Sequence, residues 1–142
     1  MTEGEDPTVI RAIAVTAADV VSAFEARERA GRPAVLRVTP PFSGRMRARL
    51  HVADHDPETV PAPVHVDPRD LLADAPPYPE PDEVEDALRA DPDETYTTDR
   101  HHDRYAAAVA SWRERAREAI ADEVVLDTPA GSHRVSVAVL GA

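Results

Sequence analysis

The sequence predicts an α+β domain: an antiparallel sheet of four to five strands, formed by two hairpins and an N-terminal strand, packed on two or three helices. Three observations carry this. In "SGRMRARLHV", Ser43–Val52, the residues Arg45, Arg47, Arg49 and His51 alternate strictly with Met46, Ala48, Leu50 and Val52, the period of a half-buried strand. Over residues 98–121, Tyr105, Ala108, Val109, Trp112, Ala116, Ala119 and Ile120 recur at helical spacing as one apolar stripe. Two segments, 34–53 and 124–140, each read as strand, turn with Pro and Gly, strand.

In chain order, residues 1–7, "MTEGEDP", read as a disordered start, and residues 8–142 as a single domain. Thr8–Val15 is apolar and β-branched, which predicts the first strand. Thr16 offers an N-cap with Asp19 three residues on, so a helix over residues 17–30 follows. Ala17, Val20, Val21 and Phe24 form its apolar face, and Glu25 and Arg29 stand at i,i+4 on a wetter one. Gly31 and Pro33 stop it. Ala34–Val38 and Arg45–Ala53 are the strands of the first hairpin, with "TPPFSG" as its turn.

Residues 54–82 are a Pro- and Asp-rich excursion, with a short strand near Val64–Val66. In "DPRDLLAD", Asp67 at the N-cap and Pro68 at N1 predict a short helix. "PDEVEDALRADP" starts another helix, with Asp82 capping, Glu85 completing a capping box and Pro92 ending it. The long helix comes next, with Arg104, Arg113, Glu114, Arg117 and Glu118 on its wet side. The final hairpin turns at "TPAGS", and Val135, Val137 and Val139 alternate with Ser136, Ala138 and Leu140.

A chain of 142 residues suits one domain. The absence of cysteine excludes disulfide frameworks, thiolate zinc sites and thiol catalysis. The acidic opening is no secretory signal, and the apolar runs fall far short of the ~20 residues a membrane helix needs. A cytoplasmic protein without membrane contact is expected. Asp and Glu total 27, the 16 basic residues are all Arg, and the net charge is −11. The acids are spread along the whole chain, which indicates solubility and hydration at high salt more than a steering patch. This acidic, lysine-free, arginine-only composition resembles that of small haloarchaeal proteins of unknown function. The resemblance implies a salt-rich environment and no site residues.

Against that charge, Arg45, Arg47 and Arg49, joined by Arg37 on the neighbouring strand, are the candidate binding residues. Guanidinium forks suit carboxylate or phosphate. Two features disfavour nucleic acid: counterion release weakens phosphate binding as salt rises, and no aromatic is interleaved for base stacking. "HVADHD" places His51 and His55 four apart with Asp54 and Asp56 beside them, and His65 and Asp67 follow. On an extended strand His51 and His55 lie about 13 Å apart, and converge only if the chain turns at Ala53. "DRHHD" places His101 and His102 between Asp99 and Asp103. These four histidines are the weak metal candidates, at no recognised ligand spacing.

No nucleophile elbow, phosphate loop or dinucleotide fingerprint occurs, so no catalytic residue and no cofactor is assigned. Sparse chemistry beside an arginine face favours a non-enzymatic interaction module with a protein partner. A nucleic-acid or anion-binding protein is the alternative, and a metal-dependent enzyme using the His/Asp clusters is the third reading.

Overall fold

The computed structural model describes residues 4–141. Of the disordered start expected over residues 1–7, residues 1–3 lie outside the described residues. From Gly4 the chain is tied down. The Gly4 carbonyl accepts from the Phe42 N–H at 2.7 Å, and Pro7 is buried in a short 3-10 turn, Pro7–Val9, capped by the Asp6 carboxylate. The first strand, β1, therefore runs Ala12–Thr16 instead of starting at Thr8.

The chain folds into two compact units. The first comprises the residues up to Asp74 and those from Ile120 onward; the second is Ala75–Ala119. The fold is α+β, but the single antiparallel sheet expected is two sheets in the first unit.

The cause is Ala48. The stretch expected as one strand splits there into β3 (Arg45–Arg47) and β4 (Arg49–Val52). β3 runs parallel to β1, in register Ala12 with Arg45 and Ala14 with Arg47. β4 runs antiparallel to β2 (Ala34–Val38), pairing Arg37 with Arg49 and Ala34 with Val52. Ala48 is fully buried between them and donates its N–H to the Ala14 carbonyl at 2.9 Å. The common inward face expected for Met46, Ala48, Leu50 and Val52 breaks with it, and Leu50 is 41% exposed.

The three-stranded sheet is completed by β5 (Val64–Val66), antiparallel to β2. The four-stranded sheet has the order β3-β1-β7-β6, with β1 parallel to both neighbours. β6 (Glu123–Thr128) and β7 (Gly131–Leu140) form the expected final hairpin. Its turn is closed by Thr128, whose hydroxyl accepts from the Ala130 N–H, and by Gly131 at φ +109, a conformation that favours glycine.

Helix α1 (Ala17–Ala30) begins and ends as the sequence predicts. The Thr16 hydroxyl accepts from the Asp19 N–H at 3.1 Å, and Gly31 is left-handed at φ +60. It packs on β2 and β4 and against α2 (Pro68–Leu71), which Asp67 caps as expected. Arg29 pairs with Glu25 at 3.6 Å, but Glu25 lies on the buried side, not the wet one. Ile13, Val15, Leu36, Val38, Leu126 and Val135 are buried in this unit. Each contributes about 1.5–3 kcal/mol by leaving water.

In the second unit, α3 (Pro81–Ala90) packs on α4 (Thr98–Glu118). The cap of α3 is Glu80, two positions before the expected Asp82 and without a side-chain cap bond, because Pro81 at N1 has its φ fixed for the helix. α4 closes at Glu118, three residues short of the expected end. Its stripe buries Val109, Trp112 and Ala116. The Pro-rich chain before α3 lies on it: the Trp112 Nε1–H donates to the Pro76 carbonyl at 2.8 Å and the Tyr105 hydroxyl to the Pro79 carbonyl at 3.1 Å. Among the described residues, no helix is long and apolar enough to cross a membrane.

Candidate functional site

The three-stranded sheet positions the candidate site. Register pairs Arg37 with Arg49 on one side and with His65 on the other, and Val35 with His51. Paired residues share a face, so Arg37, Arg49, His51 and His65 stand together on one side of β2. Leu36, Val38, Val64 and Val66 turn to the core. Two arginines directly opposed across a ladder repel each other unless an anion lies between them.

Arg37, Arg47, Arg49 and His51, with Thr39 and Leu50, line a shallow cleft of about 400 Å³. Among the described residues the side chains of Arg45, Arg47 and Arg49 form no ion pair and no hydrogen bond, although acids outnumber bases in the chain. Arg27, Arg69 and Arg104, by contrast, each have a carboxylate partner. Arg37 Nε and Arg47 Nε are buried without an acceptor. A buried donor left unmet costs about 1–3 kcal/mol, so the cleft holds donors in excess of what its own chain satisfies. The expected row is divided, however. Arg45 lies in a separate cleft of about 630 Å³ with Arg11, Val9, Gly44 and Ser136.

Beside the cleft the histidines sort themselves. The chain does turn after Ala53, with His55 at φ +58, but the residue it returns to His51 is Asp56. His51 Nε2 lies 2.8 and 3.0 Å from the two Asp56 oxygens. His55 is 92% exposed and meets only its neighbour Asp54, at 3.2 Å. His65 reaches across β2, its ring centroid 5.9 Å from that of His51. Arg37 Nη1 approaches the same His51 ring, 3.1 Å from Nε2 and 3.4 Å from Nδ1. In the second unit His101 Nε2 lies 2.9 Å from the Pro81 carbonyl, and His102 is exposed. Neither is gathered with other ligand types into a group of three among the described residues.

The electrostatics follow from these neighbours. The His51 hydrogen bond holds the Asp56 carboxyl below its ordinary value; burial opposes this, and the charges of His51 and Arg37 add to it. Burial, then the Arg37 and His51 charges, pushes His65 down, with Asp56 opposing. Both shifts favour a neutral imidazole and an ionised carboxylate side by side at neutral pH.

Sequence reasoning had Asp56 and His65 in view as neighbours of the histidine pair but placed the pairing on His55. The signal that identifies them is register: with β5 beside β2, alternation alone puts His65 on the arginine side. Arg11 had no signal, since it meets Arg45 only through the parallel pairing of β1 and β3.

A profile of a domain of unknown function, DUF8009, matches residues 1–141. No curated protein and no solved structure matches the chain.

Proposed function

The chain belongs to the DUF8009 family, and we propose that it is a non-enzymatic interaction module that receives an acidic segment of a partner protein in the cleft of Arg37, Arg47 and Arg49. One observation carries the reading: among the described residues these guanidiniums form no carboxylate ion pair, in a chain of net charge −11, and two of their Nε donors are buried and unmet. A carboxylate entering the cleft supplies the missing acceptors in bidentate geometry. The acidic, lysine-free composition supports a salt-rich cytoplasm as the setting. There, diffuse attraction is screened within about 3 Å at molar salt, and short charge-assisted bonds are what survives. No membrane partner and no cofactor enters the reading.

The test is a comparative purification at native salt. Tagged wild type and the Arg47→Glu/Arg49→Glu variant are isolated in parallel and their bound proteins identified. The expected result is a protein recovered with wild type and lost with the variant. An identical set with both overturns the reading.

A second reading, phosphate of a nucleic acid in the same cleft, rests on the same donors. It is disfavoured by the lack of any Phe, Tyr or Trp among the residues lining the cleft. Binding of an RNA or DNA oligonucleotide that the charge-reversed variant loses would select it.

A further inference from the structure

Next to the arginine cleft, three residues of different chemistry converge. His51 on β4, Asp56 in the turn after it and His65 on β5 each offer one ligand atom, and these atoms all lie within 4.8 Å of one another. A tetrahedral zinc ion, with bonds of about 2.0–2.2 Å, holds its ligand atoms about 3.3 Å apart. The pair His51–Asp56 is already that close, and His65 has a rotamer-scale distance to close. Two imidazoles and a carboxylate are donors of the borderline kind that zinc and its neighbours prefer.

We propose that His51, Asp56 and His65 form a site for zinc or a similar divalent transition metal. His51 Nε2 already faces the Asp56 carboxylate at 2.8 Å, so the two ligand atoms share one side of the ring. The Arg37 guanidinium, 3.1 Å from the same nitrogen, competes for its lone pair and has to swing aside when a cation binds there.

Three protein ligands leave a coordination position open, and Arg37 at the rim favours an anion or water there. The metal would also fasten the segment between β4 and β5 to the sheet, since Asp56 alone of the three belongs to that segment. The proposal does not rest on the arginine reading, because metal binding is measured with no partner present.

The experiment uses the full chain with its tag removed, stripped by chelator and titrated with Co(II) as the spectroscopic probe and Zn(II) as competitor. Expected is about one metal ion per chain, with a visible Co(II) spectrum that Zn(II) abolishes. His51→Ala, Asp56→Asn and His65→Ala each weaken binding by at least the roughly 10–100-fold that loss of an outer partner costs. His55→Ala and His101→Ala leave it unchanged. Far-ultraviolet circular dichroism checks each fold, and exposed His65 is the position whose loss spares it. The proposal is overturned if wild type binds no stoichiometric ion. It is overturned equally if folded His65→Ala binds as wild type does, or if His55→Ala weakens binding as much as His65→Ala.

Discussion

His51 and Asp56, five residues apart, are joined nitrogen to oxygen at 2.8 Å across the turn that leaves β4. That contact returns an exposed, proline-rich segment to the sheet it has just left. Asp56→Asn removes the charge and keeps the shape. Limited proteolysis of the variant should cut within residues 54–62 faster than in wild type, with the melting temperature little changed. An unchanged cleavage rate would show that the segment is held elsewhere.

His65 makes stability depend on pH. Its ordinary value is 6.5, and its surroundings hold it lower in the folded chain. Between the two values the unfolded chain binds a proton that the folded chain does not, so stability falls as the pH falls. A melting series from about pH 7.5 to 5.5 should show this loss in wild type and a shallower one in His65→Gln. Parallel curves for the two would mean that the imidazole is not the source.

Arg47 carries a buried Nε that has no acceptor among the described residues. Arg47→Met keeps the apolar stem and removes a buried Nε with no acceptor. The variant should be more stable than wild type by up to about 1 kcal/mol. That is about 3 °C in melting temperature at this chain length. A clear destabilisation would show that the guanidinium is satisfied in solution.

The second unit rests on Trp112, which is 1% exposed, bonded to the Pro76 carbonyl and edge-on to Tyr78 at 4.8 Å between ring centroids. Trp112→Ala should cost about 3–5 kcal/mol in chemical denaturation followed by circular dichroism. A loss under about 1 kcal/mol would show that the stripe on α4 is not a packed core.

What could be read from the sequence was what neighbouring residues decide. Thr16 and Gly31 bound α1 because a hydroxyl cap and a left-handed glycine act within one turn of the helix. Asp67 and Pro68 mark α2, and Pro129 to Gly131 mark the last hairpin, for the same reason. The break at Ala48 had no such local sign. Arg45 to Val52 alternates without interruption, and only the distant partners, β1 for one half and β2 for the other, divide it. The candidate site depends on the same non-local information. Its arginines were visible as a row, but their division between two clefts and the approach of His65 to His51 are matters of register.

The pairing of β1 with β7 sets the order of events during synthesis. Ala12 has its partner in Ser136, so β1 leaves the ribosome long before β7 exists. Throughout that interval it has at most β3 beside it, and one side of a β-branched strand stays open to any nascent neighbour. Residues 75–119, which form a separate compact unit, lie between the two strands in the chain. The four-stranded sheet therefore depends on a long-range pairing, of the kind that forms slowly. Until the hairpin from Glu123 to Leu140 is present, Ala12–Thr16 keeps an unpaired edge of the kind that exposes a chain to aggregation.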